Sequence, residues 1–133
     1  MGSINVLLFV ESRYKVNRKR VVQTVSSLLR EKEIVRDAEV SDAVVGARKM
    51  RTLNKQYRGK DATTNVLSFS LSEGEATVLP PSETKDILRL GDVIISFPEV
   101  IREAAEEEVL VDDKIDELVT HGVMHLLGIH HEE

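Results

Sequence analysis

The chain has 133 residues, of which 41% are hydrophobic and 31% charged, and this size and composition predict one globular domain over residues 1–133. A formal net charge of −5 argues against a protein that binds nucleic acid over most of its surface. The absence of cysteine excludes disulfides, zinc–thiolate sites and thiol catalysis. The first apolar run, Ile4 to Val10, is too short to span a bilayer, so we predict a cytoplasmic protein.

Hydrophobic periodicity predicts an α+β fold in which about four strands form a mixed sheet that packs with about four helices. The predicted strands are Ile4–Val10, Ala38–Val45 with imperfect alternation, Asn65–Leu71 with one wetter face, and Leu90–Phe97. The predicted helices run from an N-cap at Asn17 to Glu31, from Ala47 to Tyr57, from Pro98 onward, and from a cap at Asp112 or Asp113 to Leu127, with Gly128 beyond. Small polar residues, glycine and prolines predict a loop over Ser72–Asp86.

The basic residues are concentrated in two clusters. One comprises Arg48, Lys49, Arg51, Lys55, Arg58 and Lys60, and the other Arg13, Lys15, Arg18, Lys19 and Arg20. Acidic residues are concentrated elsewhere, over 103–108 and 112–117. This segregation is compatible with a basic surface on an acidic protein, and equally with ordinary solvated helix faces.

All four histidines fall within HGVMHLLGIHH, residues 121–131. His121 and His125 are four residues apart on a predicted helix, so they share one face and can hold one ion. Gly128 allows the chain to turn, and His131 can then supply a third nitrogen. Three neutral imidazoles with an open fourth position are typical of catalytic zinc, so we predict one zinc ion on these histidines.

The spacing resembles H-E-x-x-H-x-x-G-x-x-H, the metzincin protease signature, and predicts a metzincin-like zinc helix near the C-terminus. The glutamate that serves as general base in that signature is replaced here by Gly122. Peptide hydrolysis by the metzincin mechanism therefore lacks its proton acceptor.

A closer resemblance is to the YbeY family of bacterial rRNA maturation factors. HGVMHLLGIHH is similar to the family's H-G-x-L-H-L-x-G-[YF]-D-H, with His130 at the position of the aspartate. NKQYRGKDATTNVLSFSL, residues 54–71, is similar to N-x-x-[YF]-R-x-x-D-x-x-T-D-V-L-S-F, with Asn65 at the position of the second aspartate. GDVIIS, residues 91–96, matches the strand that usually follows.

The resemblance implies a single-strand-specific, metal-dependent endoribonuclease in 16S rRNA 3′-end maturation and ribosome quality control. Its partners would be single-stranded rRNA and the ribosome or a ribosomal protein, with neither DNA nor a membrane. It implies one zinc ion on His121, His125 and His131. Arg58 is the candidate catalytic cation, because a planar guanidinium pairs two phosphate oxygens at once. The alternatives are a zinc metalloprotease-like hydrolase and a non-catalytic ribosome assembly factor with a structural zinc.

Several polar residues lie in or beside these motifs, and their positions suggest roles in binding or in structure. The cations flanking Arg58 would neutralise RNA phosphates. Ser68 and Ser70 share one side of a strand, where packing is favoured over substrate contact. Asp61, with Thr63 or Thr64, would stabilise a turn. Asp92 is a candidate for orienting a ligand histidine.

Overall fold

The computed structural model describes residues 2–34, 36–70 and 87–128. The strands are β1 (Ile4–Val10), β2 (Ala38–Val45), β3 (Val66–Ser70) and β4 (Leu88–Ser96). The helices are α1 (Arg18–Glu31), α2 (Ala47–Arg58), α3 (Phe97–Glu107) and α4 (Val111–Leu126). Four strands and four helices within these ranges confirm the predicted α+β class. The loop predicted over Ser72–Asp86 lies outside the described residues.

The sheet is mixed, with the strand order β1-β2-β4-β3. β1, β2 and β4 are parallel, whereas β3 is antiparallel to β4. β4 therefore lies in the interior of the sheet and β3 forms one of its edges. This position matters for the candidate site, because residues of helices on either face of the sheet can contact an edge strand.

The two faces of the sheet are covered by different helices. Alternate residues of β2 and β4 point to opposite sides, so Val40 and Val93 pack with α1 and α4. Ala43 and Ile94, which lie an odd number of positions from Val40 and Val93 and therefore point to the other side, pack with Met50 of α2 and its neighbours. α2 and α4 are thus separated by the sheet, and β3 is the strand at which residues from both helices can meet.

The predicted helix ends are right at some positions and wrong at others. Asn17 caps α1 as predicted, since its side chain accepts a hydrogen bond from the Arg20 backbone N–H. α4 does not begin with an aspartate cap: Leu110 precedes its first residue, and Asp112 and Asp113 lie inside the first turn. Gly128 has φ of +78°, the left-handed conformation predicted for it.

α4 is fixed to α1 by a polar clamp. Arg20 Nε lies 2.7 Å from Asp116 Oδ2, and Arg20 Nη2 lies 2.6 Å from Asp113 Oδ1. Thr24 Oγ1 donates a further hydrogen bond to Asp116 at 3.1 Å. Arg20, one cation of the basic cluster at 13–20, therefore holds the two helices together. No helix in the described part of the chain is long and apolar enough to cross a membrane.

Candidate metal centre and its surroundings

His121 and His125 lie side by side on the exposed face of α4. Their ring centroids are 5.0 Å apart and the ring planes differ by 4°. This arrangement follows from the four-residue spacing on a helix and presents two imidazoles to the same region of solvent. Within residues 2–34, 36–70 and 87–128 no group of three potential ligands is placed to hold a metal. His130 and His131, the latter predicted as the third ligand, lie outside the described residues.

At Gly122, α4 lies close against the sheet. A Cβ atom built on it would lie 2.5 Å from Val93 Cγ1 and 3.2 Å from Ser68 Oγ. Val93 is fully buried on the interior strand β4, so it has little room to move. The position where a metzincin carries its glutamate is therefore closed to a side chain. The structure gives a steric reason for the missing base, beyond its absence from the sequence.

Ser68 connects the edge strand β3 to α4. Its hydroxyl donates a hydrogen bond to the backbone carbonyl of Gly122 at 3.3 Å. Ser70, on the same side of β3, is buried. The side of β3 that carries the serines is partly exposed at Val66 and Ser68, whereas the opposite side is buried, which agrees with the prediction of one wetter face. The favoured packing role for the two serines agrees with their positions.

Arg58, the last residue of α2, reaches the same edge strand. Its Nη2 donates a hydrogen bond to the Ser68 carbonyl oxygen at 2.8 Å, and its guanidinium carbon lies 4.8 Å from the centre of the Phe69 ring. The ring adds a cation–π contact to the hydrogen bond, so the guanidinium is held at a defined place. Because Ser68 also contacts Gly122, one residue separates Arg58 from the helix that carries the histidines.

A cavity of 480 Å³ lies beside Arg58. It is lined by Asn54, Arg58, Lys60, Ala62, Thr63, Thr64 and Leu67. The buried Asn54 holds the Ala62 segment of this lining in place, because its Nδ2 donates a hydrogen bond to the Ala62 carbonyl oxygen at 2.8 Å. Asp61 accepts from Arg51 Nε at 2.7 Å, which agrees with the structural role predicted for it.

Asp92 lies on the side of the sheet opposite to α4. It is buried and alternates with Val93, so it lies on the α2 side of the sheet, whereas α4 covers the other side. This position does not favour a contact with His121 or His125, but His131 lies outside the described residues, so the role of Asp92 in orienting a ligand histidine stays a prediction. Strand periodicity alone could have raised this objection, because Val93 and Ile95 are the residues of β4 that face α4.

Asp42 is a feature that the sequence analysis did not identify. This β2 residue is 1% exposed, and neither carboxylate oxygen has a hydrogen-bond partner in the described part of the chain. Burial, and secondarily the charge of Asp92, raise the pKa of Asp42 from 3.8 to about 7. The imperfect alternation of this strand was its only signal in the sequence.

The family model described as Endoribonuclease YbeY matches residues 9–133. An endoribonuclease YbeY from Syntrophus aciditrophicus (strain SB) is 35% identical over 122 residues, which cover 92% of this chain and 72% of the relative. Another, from Anaeromyxobacter sp. (strain Fw109-5), is 46% identical over 96 residues, which cover 72% of this chain and 45% of the relative. The chain thus spans from under half to about three quarters of the length of these two relatives.

A solution structure of a protein from Thermotoga maritima superposes with a TM-score of 0.58 over 97% of this chain and 75% of that chain, at 23% identity. It shares the fold. The two relatives are endoribonucleases by name, and the range matched by the family model includes Arg58 and His121. This chain belongs to the YbeY family.

Proposed function

We propose that the chain cleaves single-stranded RNA at a zinc site formed by His121, His125 and His131, with Arg58 at the reacting phosphate. Its place would be the cytoplasm, in 16S rRNA 3′-end maturation and ribosome quality control. The observation that supports this proposal is the contact of Ser68 with both Arg58 and Gly122. That contact brings the guanidinium close to the helix that carries the first two histidines.

Membership of a family described as endoribonucleases supports the hydrolysis of RNA by this chain. The donor set fits zinc, since His121 and His125 present parallel imidazoles on an exposed face and His131 follows after the turn at Gly128. When bound, zinc supplies Lewis acidity at a phosphoryl oxygen and makes water more acidic.

The contribution of Arg58 follows from its geometry. A guanidinium is planar and has five N–H donors, so a bond to the Ser68 carbonyl does not prevent it from also binding a phosphate. The Phe69 ring beneath it limits the orientations of the group. A cation that is already in place stabilises the charge that develops on the phosphate oxygens without a cost of reorganisation.

The alternative of a metalloprotease-like hydrolase is disfavoured by Gly122. The Cβ of any other residue there would overlap Val93, so the general base of the metzincin mechanism has no space on α4. The remaining alternative, an assembly factor with a structural zinc, predicts RNA or ribosome binding without turnover.

The experiment that tests the proposal measures the metal content of the purified protein and the cleavage of single-stranded RNA before and after chelation. We expect one zinc per chain, cleavage that a chelator abolishes, and recovery when zinc is restored. Cleavage that survives complete removal of the metal would contradict the proposal. Stoichiometric zinc with RNA binding and no turnover would support the assembly-factor alternative, and cleavage of a fluorogenic peptide would support the protease alternative.

A further inference from the structure

α2 carries a line of cations on the side away from its buried stripe. Arg48, Arg51, Lys55 and Arg58 follow one another at intervals of three, four and three residues, so they share one helix face. A cavity of 970 Å³ opens along this face. Its lining consists of Ala47, Arg48, Arg51, Thr52, Lys55, Gln56, Asp61, Ala62 and Thr63. We call it the α2 groove.

The α2 groove is positively charged. Among the described residues that line it, the single carboxylate is that of Asp61, and Arg51 pairs with it at 2.7 Å. Neither Arg48 nor Lys55 forms an ion pair with a carboxylate in residues 2–34, 36–70 or 87–128. Lys49 is exposed on the same helix but does not line the groove. The basic run seen in the sequence is therefore divided by the structure into residues inside and outside one groove.

The groove leads to the candidate site. It shares Ala62 and Thr63 with the cavity that contains Arg58, so the two openings are separated only by this short segment. From Arg48 to Arg58 the helix rises about 15 Å, in steps of about 4.5 to 6 Å between successive cations. Such steps are comparable to the separation of successive phosphates in an extended single strand, which basic grooves follow along the backbone.

The other basic cluster lacks these properties. Arg20 is bound by Asp113 and Asp116, and Arg13 lies 3.0 Å from Glu11 and stacks on Tyr14. Two of its five cations are thus paired with carboxylates of the protein. The described residues that line the α2 groove include no aromatic side chain, so this lining is suited to phosphates and not to stacked bases.

We propose that the α2 groove binds the sugar–phosphate backbone of single-stranded RNA on one side of the cleaved linkage. Arg48, Arg51 and Lys55 would contact successive phosphates and direct the strand to Arg58. This inference deepens the proposed function, on which it rests, by assigning a binding surface remote from the reacting phosphate. Recognition there is independent of base sequence, because only phosphates are contacted.

The test compares two double variants of equal charge. Arg48→Ala with Lys55→Ala removes two groove cations, and the control, Lys49→Ala with Lys19→Ala, removes two exposed cations outside the groove. Binding is measured by fluorescence anisotropy with labelled 2′-O-methyl RNA of about ten and about three nucleotides, lengths chosen to fill or to fall short of one site. Circular dichroism checks that each variant is folded.

We expect the groove variant to flatten the slope of log affinity against log salt for the longer RNA by about 1.4, or about 0.7 for each lost phosphate contact. The control should retain the slope, and the shorter RNA should bind both variants alike. In cleavage assays the groove variant should raise KM for long RNA and leave kcat unchanged.

The outcomes separate this inference from the proposed function. If the wild type cleaves RNA and both double variants bind it equally well, the groove proposal is wrong and the function stands. If only the groove variant shows a flattened slope of log affinity against log salt, while neither the wild type nor any variant cleaves RNA, the groove proposal stands and the function fails. If the groove variant binds RNA normally but loses affinity for polyglutamate, the groove serves an acidic protein and the proposal is overturned.

Discussion

The hydroxyl of Ser68 donates a hydrogen bond to the carbonyl oxygen of Gly122 at 3.3 Å. These residues are 54 positions apart in the chain and join the edge strand to the histidine-bearing helix. The backbone carbonyl of Ser68 meanwhile accepts a hydrogen bond from Arg58. A substitution at Ser68 or Gly122 should therefore alter the positions of both the candidate metal ligands and Arg58.

Gly122→Ala should destabilise the protein. Alanine is favoured over glycine in a helix by about 1 kcal/mol, but a Cβ at 2.5 Å from Val93 Cγ1 must displace a buried residue, and overpacking costs about 1–3 kcal/mol. We expect the steric term to win, with a lower midpoint of denaturant unfolding. In a Val93→Ala background the cost of Gly122→Ala should largely disappear, so strictly additive effects in the double variant would show that this contact is not the cause.

The zinc ligands can be assigned by single substitutions. His121→Ala, His125→Ala and His131→Ala should each abolish stoichiometric zinc, since two imidazoles retain a metal poorly, while His130→Ala should keep it. Elemental analysis of the purified variants measures this directly. Retention of zinc by His131→Ala together with its loss in His130→Ala would exchange the roles of the two residues.

Arg58→Ala should reduce RNA cleavage by on the order of 10²-fold or more, the range for losing one donor to a developing anion. Arg58→Lys should recover only part of the rate, because an ammonium cannot make the bidentate contact. Zinc content should stay close to that of the wild type, and the unfolding midpoint should fall only modestly, because one hydrogen bond to Ser68 and one cation–π contact with Phe69 are lost. Lys49→Ala, which removes an exposed cation from the same helix, serves as the control, and an Arg58→Ala enzyme with full activity would exclude the catalytic role.

Asp42 should make stability depend on pH. Its pKa is raised from 3.8 to about 7 in the folded protein by burial and by Asp92, so between these values the folded state holds a proton that the unfolded state releases. The destabilising contribution of Asp42 is therefore absent below about pH 4 and grows as the pH rises toward 7, to on the order of 4 kcal/mol.

Asp42→Asn removes this titration because an amide stays neutral. The difference in unfolding free energy between Asp42→Asn and the wild type should favour the variant increasingly from pH 4 to pH 7, a range set by the two pKa values. Glu31→Gln, which changes an exposed acid on α1, provides a comparison. A difference that does not vary with pH would mean that Asp42 keeps its ordinary pKa in the fold.

Local pattern was sufficient for most of the fold. Strands such as Ile4–Val10 and Ala38–Val45 were predicted to the residue, because apolar runs between breakers define them. The start of α4 was not, since aspartates are favoured both as caps and in the first turn, and here Asp113 binds Arg20 from inside the helix.

The candidate site shows a similar division. The pairing of His121 with His125 follows from helical spacing alone and is present in the structure. The approach of Arg58 to α4 depends on the order of the strands, which places β3 at an edge, and no local pattern contains that information. The buried carboxylate of Asp42 was hidden for a related reason, since a strand covered on both faces shows little alternation.

The strand order also sets when the site can exist during translation. Among the described strands β3 pairs with β4 alone, and β4 must in turn align in parallel with β2, about fifty positions earlier in the chain. Arg58 and β3 therefore leave the exit tunnel before the strand that anchors them, and α4 with its histidines follows later still. A nascent chain therefore lacks the assembled candidate site until β4 and α4 have both left the ribosome.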